Sequence, residues 1–250
     1  MENREVINDT VKPYKKEENK TNQLREMFNT ISRDYDFFNN LMSWGLAHTW
    51  RRKAMMWIKP FQHSHILDIA TGTADMIVLA EKLLQPETLV GVDIAEDMLQ
   101  IGREKLAKHH LTGKAVLELG DCAALPYENE RFDLVTISFG LRNLEKLSQS
   151  VHEIHRVLQP GGHFLIIEVN EPQQGILAFL YRIYVKLYVM IAAQLLSRDK
   201  EAYQYLAQSM HYFPQGKALI DILNSLDFKI LKTRSFTFGV CTAYLLEKVN

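Results

Sequence analysis

The chain has 250 residues, 47% of them hydrophobic, and a formal net charge of -1, which gives material for one sizeable core and no overall attraction for nucleic acid. Two cysteines, Cys122 and Cys241, provide neither a disulfide framework nor a metal cluster, and the histidines, among them His63, His65, His109 and His110, lack metal-ligand spacing. No metal is therefore expected, and a reducing, cytoplasmic setting suits the chain. Met1 to Lys20 is polar and charged, without the apolar centre of a signal peptide. Residues 1–60 are read as an N-terminal helical extension or lid, and residues 61–250 as one domain without internal repeats.

Ile66-Leu-Asp-Ile-Ala-Thr-Gly-Thr-Ala-Asp75 is an apolar strand entering a turn of small residues. Met76, Leu79, Ala80 and Leu83 then follow helical spacing. Gly72 accepts a positive φ without penalty, and small neighbours let a ligand approach the backbone. The segment is neither a G-x-G-x-x-G fingerprint nor a P-loop. Asp68 and Asp75 would repel phosphates and suit a cationic ligand, of which S-adenosylmethionine (SAM) is one. An ordinary strand-to-helix turn shares these features. Leu89-Val-Gly-Val-Asp93 weighs against that reading, because a carboxylate ending a second strand accepts from ribose hydroxyls.

Glu96 to His109 reads as a helix. Ala115 to Gly120 reads as a third strand that delivers Asp121 and Cys122, with a carboxylate suited to an adenine amino group. Phe132 to Ser138 reads as a fourth strand opening into Phe139-Gly-Leu-Arg-Asn143. Glu145 to Leu158 reads as a helix, Pro160-Gly161-Gly162 as a turn and His163 to Val169 as a fifth strand. Alternating strands and helices predict a mainly parallel sheet.

A helical insertion is expected over about 172–215. Its segment Gly175 to Leu196 is the most apolar in the chain, but Arg182 and Lys186 share one helical face and argue against a membrane span. It reads as an amphipathic helix that covers the site, with Tyr181, Tyr184 and Tyr188 suited to a boundary between apolar and wet surroundings. Such a helix would give reversible contact with a membrane surface. Phe228 to Thr233 and Thr242 to Glu247 lie too close together for a crossover helix and predict an antiparallel pair. The sum is an α/β, Rossmann-like, seven-stranded sheet, mainly parallel with an antiparallel C-terminal pair, as in class I SAM methyltransferases.

Tyr35-Asp-Phe-Phe-Asn-Asn-Leu-Met-Ser-Trp-Gly-Leu-Ala-His-Thr-Trp50 resembles the N-terminal signature of the C-methyltransferases of menaquinone and ubiquinone biosynthesis. Arg156 to Glu168 resembles the family's second signature, and Ile137 to Asn143, Ser209 to Pro214 and Gly239-Val240 are similar to further family stretches. The likeness runs from about Val11 to the C-terminus. Carried over residue by residue, it implies cofactor contacts at Thr73, Asp93, Asp121, Cys122 and Ser138, beside Asp68 and Gly72 from the turn itself. Three positions depart from the pattern. Ala74 replaces a glycine and is read as a helix start, where alanine is tolerated. Gln159 stands for Lys and Asn170 for Ser.

The resemblance implies methyl transfer from SAM to a ring carbon of a prenylated quinol, demethylmenaquinol giving menaquinol. An aromatic carbon is a weak nucleophile, so the acceptor must be the reduced hydroquinol, whose ionised hydroxyl enriches the ortho carbon. Arg142 and Asn143 are expected to stabilise the developing phenolate, with Arg142 assigned either that role or the orientation of a water, since it stays protonated and cannot readily serve as a base. His48 and Tyr35 are candidates for proton transfer. A benzoquinol of the ubiquinone pathway is the alternative acceptor. A SAM-binding protein without catalysis is a reading of another class, opposed by Arg142, Asn143 and the first signature. A nicotinamide oxidoreductase is disfavoured by the missing glycine fingerprint. The protein is expected in the cytoplasm, with a peripheral position at the inner face of the membrane as an option, and the oligomeric state is left open, a homo-oligomer included.

Overall fold

The computed structural model describes residues 11–249 apart from 15, 173, 174, 177, 182, 186 and 188–199. Arg182, Lys186, Tyr188 and the end of the apolar insertion segment therefore lie outside the described residues. Seven strands form one sheet: β1 (His65–Ile69), β2 (Thr88–Asp93), β3 (Ala115–Leu119), β4 (Phe132–Ser138), β5 (Leu158–Val169), β6 (Phe228–Phe236) and β7 (Cys241–Lys248). Their order is β3-β2-β1-β4-β5-β7-β6. The first five pair in parallel, and β7 runs antiparallel to both β5 and β6.

Each central strand is buried on both faces, so its alternating residues feed two cores. Ile66, Leu89, Leu134, Leu165 and Leu245 join one. Leu67, Ile69, Val90, Val135 and Tyr244 join the other. The helices covering the sheet are α3 (Asp75–Leu84), α4 (Glu96–Lys108), α5 (Leu147–Val157) and α7 (Lys217–Asn224). Met76, Leu79 and Ala80 are buried as their spacing predicts, with Leu83 packed against the same core.

Two helices precede the sheet, α1 (Lys20–Met42) and α2 (Leu46–Met55). Asn19 caps α1 by accepting from the Asn22 N–H at 2.9 Å. Leu24, Met27 and Ile31 of α1 pack with Ala95 and Met98 of the β2–α4 region and with Ala202 and Tyr205 of α6 (Lys200–Tyr212). This third cluster lies over the C-terminal end of the sheet. The described residues of 175–187 are helical. Among the described residues no helix is long and apolar enough to cross a membrane.

β5 begins earlier than the sequence suggests. Pro160-Gly161-Gly162 does not end the strand but sits within it, where the register with β4 shifts between Phe132 and Leu134. A bulge absorbs the extra residues while pairing continues on either side. α7 follows Gly216 and carries Leu219, Ile222 and Leu223 into the core, an element the sequence reading did not identify.

Candidate active site

A cleft of about 700 Å³ opens at the C-terminal ends of β1, β2, β3 and β4. Its floor is the turn after β1. Ala70, Gly72 and Ala74 there all adopt positive φ, at 50°, 53° and 66°. Ala74 does begin α3, but in the left-handed region, where a Cβ costs about 1–2 kcal/mol. The expectation that alanine is tolerated there because it starts a helix is thus corrected: this position favours the glycine that the chain lacks. Close packing explains Gly140, since a Cβ on it would lie 2.6 Å from the Ala70 Cβ.

Asp93 lines the cleft from the end of β2 and is buried. Its Oδ2 accepts from the Gly72 N–H at 2.8 Å and its Oδ1 from the Ala95 N–H at 2.9 Å. Burial pushes this carboxyl up from its ordinary value, against those two hydrogen bonds and one from Ile94. With three hydrogen bonds accepted, about one lone pair is left for a ligand hydroxyl. Asp121 is exposed at the end of β3, with Oδ1 accepting from the Ala123 N–H at 2.9 Å. Cys122 lines the cleft but turns its thiol toward the Ser150 carbonyl, 3.9 Å away, and burial pushes that thiol up. Ser138 also lines the cleft, and its Oγ accepts from Arg51 Nε at 3.0 Å.

Two expected cofactor contacts lie behind this wall. Asp68 is buried inside the sheet, accepts from the Thr136 hydroxyl at 2.6 Å, and is pushed up to about 7 by burial. Thr73 donates to Asp36 Oδ1 at 2.6 Å and accepts from Lys105 Nζ at 2.9 Å. Neither is among the residues that line the cleft. They support the turn instead. Lys105 also meets Asp36 at 2.8 Å and Asp75 at 2.5 Å, and Arg51 meets Asp75 at 2.7 Å. Burial opposes ionisation of Asp75, but Arg51 and Lys105 outweigh it and hold the carboxyl below its ordinary value. The sequence reading named Asp36 and Asp75 without their partners, because the cations come from α2 and α4.

The catalytic expectations divide. Asn143 lines the cleft, and Tyr35 reaches it from α1, its phenol pushed up by burial. Arg142 does not line it. Its Nη1 donates to Glu168 Oε1 at 2.5 Å and to the Phe139 carbonyl at 2.6 Å, and both members of the ion pair are buried. Glu168 Oε2 also accepts from the Arg142 N–H at 3.1 Å. The Arg142 charge is thus paired inside the protein behind the cleft, while its Nε is buried without a hydrogen-bond partner among the described residues. His48 is exposed on α2 and is not among the residues that line either cavity.

A second, apolar cavity of about 580 Å³ lies between α1, α2, the helix within 175–187, α6 and the β6–β7 turn. Trp50 lines it, Phe139 lines the cleft, and their rings pack edge-to-face with centroids 6.4 Å apart. The Arg51 guanidinium lies 4.9 Å from the Phe139 ring. Thr21, Phe28 and Tyr35 of α1 face the cleft, and Met42 of the same helix faces the apolar cavity.

The cleft lining carries Asp93, Asp121 and Glu145 and, among the described residues, no Lys, Arg or His. A dinucleotide pyrophosphate would be repelled there. A ligand with a sulfonium, an ammonium and ribose hydroxyls fits, so the residues present suit SAM.

Comparison with known proteins agrees. A solved SAM-dependent methyltransferase from Aquifex aeolicus superposes with a TM-score of 0.62 at 13% identity, over 86% of this chain and 98% of its own, and shares the fold. A Bacteroides fragilis protein named demethylmenaquinone methyltransferase is 40% identical over 238 residues, 95% of this chain and 97% of its own length. A Geobacter sulfurreducens protein named ubiquinone/menaquinone biosynthesis C-methyltransferase UbiE is 36% identical over 92% of this chain and 90% of its own. The sheet is that of the class I SAM methyltransferases, and the protein is a SAM-dependent methyltransferase. Residues 15–248 match the family profile, and the chain belongs to the ubiE/COQ5 methyltransferase family.

Proposed function

We propose that the protein methylates the ring carbon of demethylmenaquinol to give menaquinol. Kinship to the Bacteroides fragilis relative of that name carries this reading. The apolar cavity beside the cleft supports it, because an isoprenoid tail needs such a lining.

SAM, when bound, supplies an electrophilic methyl group. Asp93 and Asp121 would hold its ribose and adenine ends. The Phe139–Trp50 wall and Tyr35 would fix the quinol ring, and correct orientation alone can contribute roughly 7–11 kcal/mol to such a step. The test is transfer of label from radioactive SAM to reduced short-chain demethylmenaquinone. No label in the quinol, with SAM binding intact, rejects the reading. Label in a demethylated benzoquinol but not in the naphthoquinol assigns the other pathway.

Contact with the membrane is the second part of this reading. Ile176, Phe179, Leu180, Ile183 and Leu187 are exposed along the helix within 175–187, and Trp44 beside it is 79% exposed. Tyr184 is not part of that face. Its hydroxyl donates to the Met42 carbonyl at 2.7 Å and accepts from Trp44 Nε1 at 3.1 Å. Liposome sedimentation of Phe179→Glu and Leu180→Glu variants should show reduced binding and reduced turnover of membrane-borne quinol, with SAM affinity unchanged. Absence of the wild type from the liposome pellet removes the membrane role.

A further inference from the structure

Asn143 is the one residue of the Arg142–Asn143 pair that faces the cleft, and its amide has two chemically opposite ends. One end is a carbonyl oxygen, which would repel a phenolate. The other is an NH2 group, which would stabilise it. Which end faces the ligand therefore decides whether the side chain helps or hinders ring methylation.

The structure fixes the orientation through α6. Tyr205 is 1% exposed, and its hydroxyl donates to Asn143 Oδ1 at 3.1 Å. It is placed by the buried face of α6, where Ala202, Tyr205 and Ser209 follow helical spacing. With the oxygen end occupied, Asn143 Nδ2 has no hydrogen-bond partner among the described residues. A phenol rather than a phenylalanine is thus placed on α6 against the oxygen of an amide that lines the cleft.

We propose that Tyr205 is a positioning residue that turns the Asn143 NH2 group into the cleft, where it donates to the ionised oxygen of the methyl acceptor. This rests on the reading that a quinol-type ring enters the cleft. Asp93, Asp121 and Glu145 of the cleft oppose an anion, so the phenolate depends on the donor that the amide presents. Behind it lies the Arg142–Glu168 pair, with Tyr35 and Tyr205 both within the field of Arg142. Glu145, the nearest carboxylate along the chain, is already used, accepting from the Lys20 N–H at 3.0 Å and from the Thr21 N–H at 3.0 Å and hydroxyl at 2.6 Å. The device selects an acceptor with a hydrogen-bond-accepting oxygen next to the carbon methylated, which is the phenolate form of a hydroquinol.

The test uses the full chain with SAM and 4-nitro-1-naphthol, a phenol whose ionised form absorbs in the visible and so reports its own protonation when bound. Wild type should lower the titration midpoint of the bound probe. Tyr205→Phe should lose roughly tenfold of that phenolate preference, about one pH unit, with SAM affinity unchanged. Asn143→Asp, which presents oxygen on both sides, should lose at least as much. In an Asn143→Ala background, Tyr205→Phe should shift nothing further. The proposal is overturned if wild type leaves the midpoint where it is in water, if Tyr205→Phe leaves it unchanged, if the shift persists without Asn143, or if Tyr205→Phe instead weakens SAM binding. Failure of the naphthoquinol reading shows separately, as absence of label transfer by wild type while the probe midpoints still respond.

Discussion

Asp93 has two duties, and a substitution must separate them. It clamps the turn through Gly72, Ala95 and Ile94, and it presents its remaining lone pair to the cleft. Asp93→Ala should weaken SAM binding by about 1–3 kcal/mol, the usual cost of losing charge-assisted hydrogen bonds. Calorimetry checks it, and unchanged affinity rejects the ribose role. Arg142→Ala should act on stability first, because it leaves Glu168 buried and unpaired at a cost of about 3–5 kcal/mol. Arg142→Met with Glu168→Leu should restore most of the urea midpoint. If Arg142→Ala folds as stably as wild type and loses only turnover, the pair is not the structural element its burial indicates. At this scale the sequence was readable where chemistry is local. Asp93 and Asp121 end strands, and their place follows from strand length. Glu168 was visible as a charge inside an apolar strand, but its partner on the β4 turn was not. Tyr205 meets Asn143 across 62 residues of sequence, a separation that no spacing rule spans.

The elements that hold the site are joined by charge rather than by apolar packing alone. Lys105 of α4 sits between Asp36 of α1 and Asp75 at the start of α3, and Arg51 of α2 shares Asp75. Lys105→Met would leave two carboxylates facing one another through partly solvated space. Stability should fall by about 1 kcal/mol, the scale of incompletely buried pairs, and SAM affinity should fall with it, since Thr73 loses a donor beside the turn. Thermal melts with and without SAM measure both, and an unchanged ligand-induced shift would detach the network from the cofactor. The mainly parallel sheet followed from the alternation of apolar runs and amphipathic helices, which encode burial directly, whereas the strand order did not. The start of β5 did not, because Pro160-Gly161-Gly162 has the composition of a turn and only pairing with β4 keeps it in the sheet. Ala74 teaches the same lesson, since its left-handed backbone is set by the turn and not by the residue.

For the whole molecule, the end of the sheet opposite the cleft carries a proton-sensitive joint. His63 Nε2 and His163 Nδ1 lie 3.1 Å apart, both rings are buried, and Phe61 packs 4.2 Å from the His163 ring. Burial holds both imidazoles below their ordinary value, against the carboxylates of Asp133 and Glu247. The unfolded chain therefore binds more protons than the folded one as the pH falls. The pair's contribution is complete above about pH 6.5 and is lost below it. Asp68, pushed up to about 7, has the opposite sign: its folded form keeps a proton that the unfolded form releases, so its contribution declines as pH rises toward 7. Urea midpoints of wild type should drop more between pH 7 and pH 5 than those of a His63→Leu, His163→Phe variant. Parallel curves would remove the pair from the pH response.

α1 runs the length of the site as a single rod of 23 residues, about 34 Å long at the rise of an α-helix. Thr21, Phe28, Tyr35 and Met42 recur every seventh residue, so one stripe of the rod borders the cofactor cleft and then the apolar cavity. Its first turn is held by Glu145, and it ends at Trp44 and Gly45, both in left-handed backbone. The middle of the rod is tied to the turn after β1 through Asp36, which meets Lys105 and accepts from Thr73, so both cavities border one continuous element. A tail that displaces Met42 must then alter the space above SAM, and SAM seated beneath Phe28 and Tyr35 must alter the room for the tail. Thermodynamic reciprocity makes the two effects equal: the factor by which a prenylated quinone changes SAM affinity should match the factor by which SAM changes quinone affinity. A short-chain quinone too small to reach Met42 should show neither.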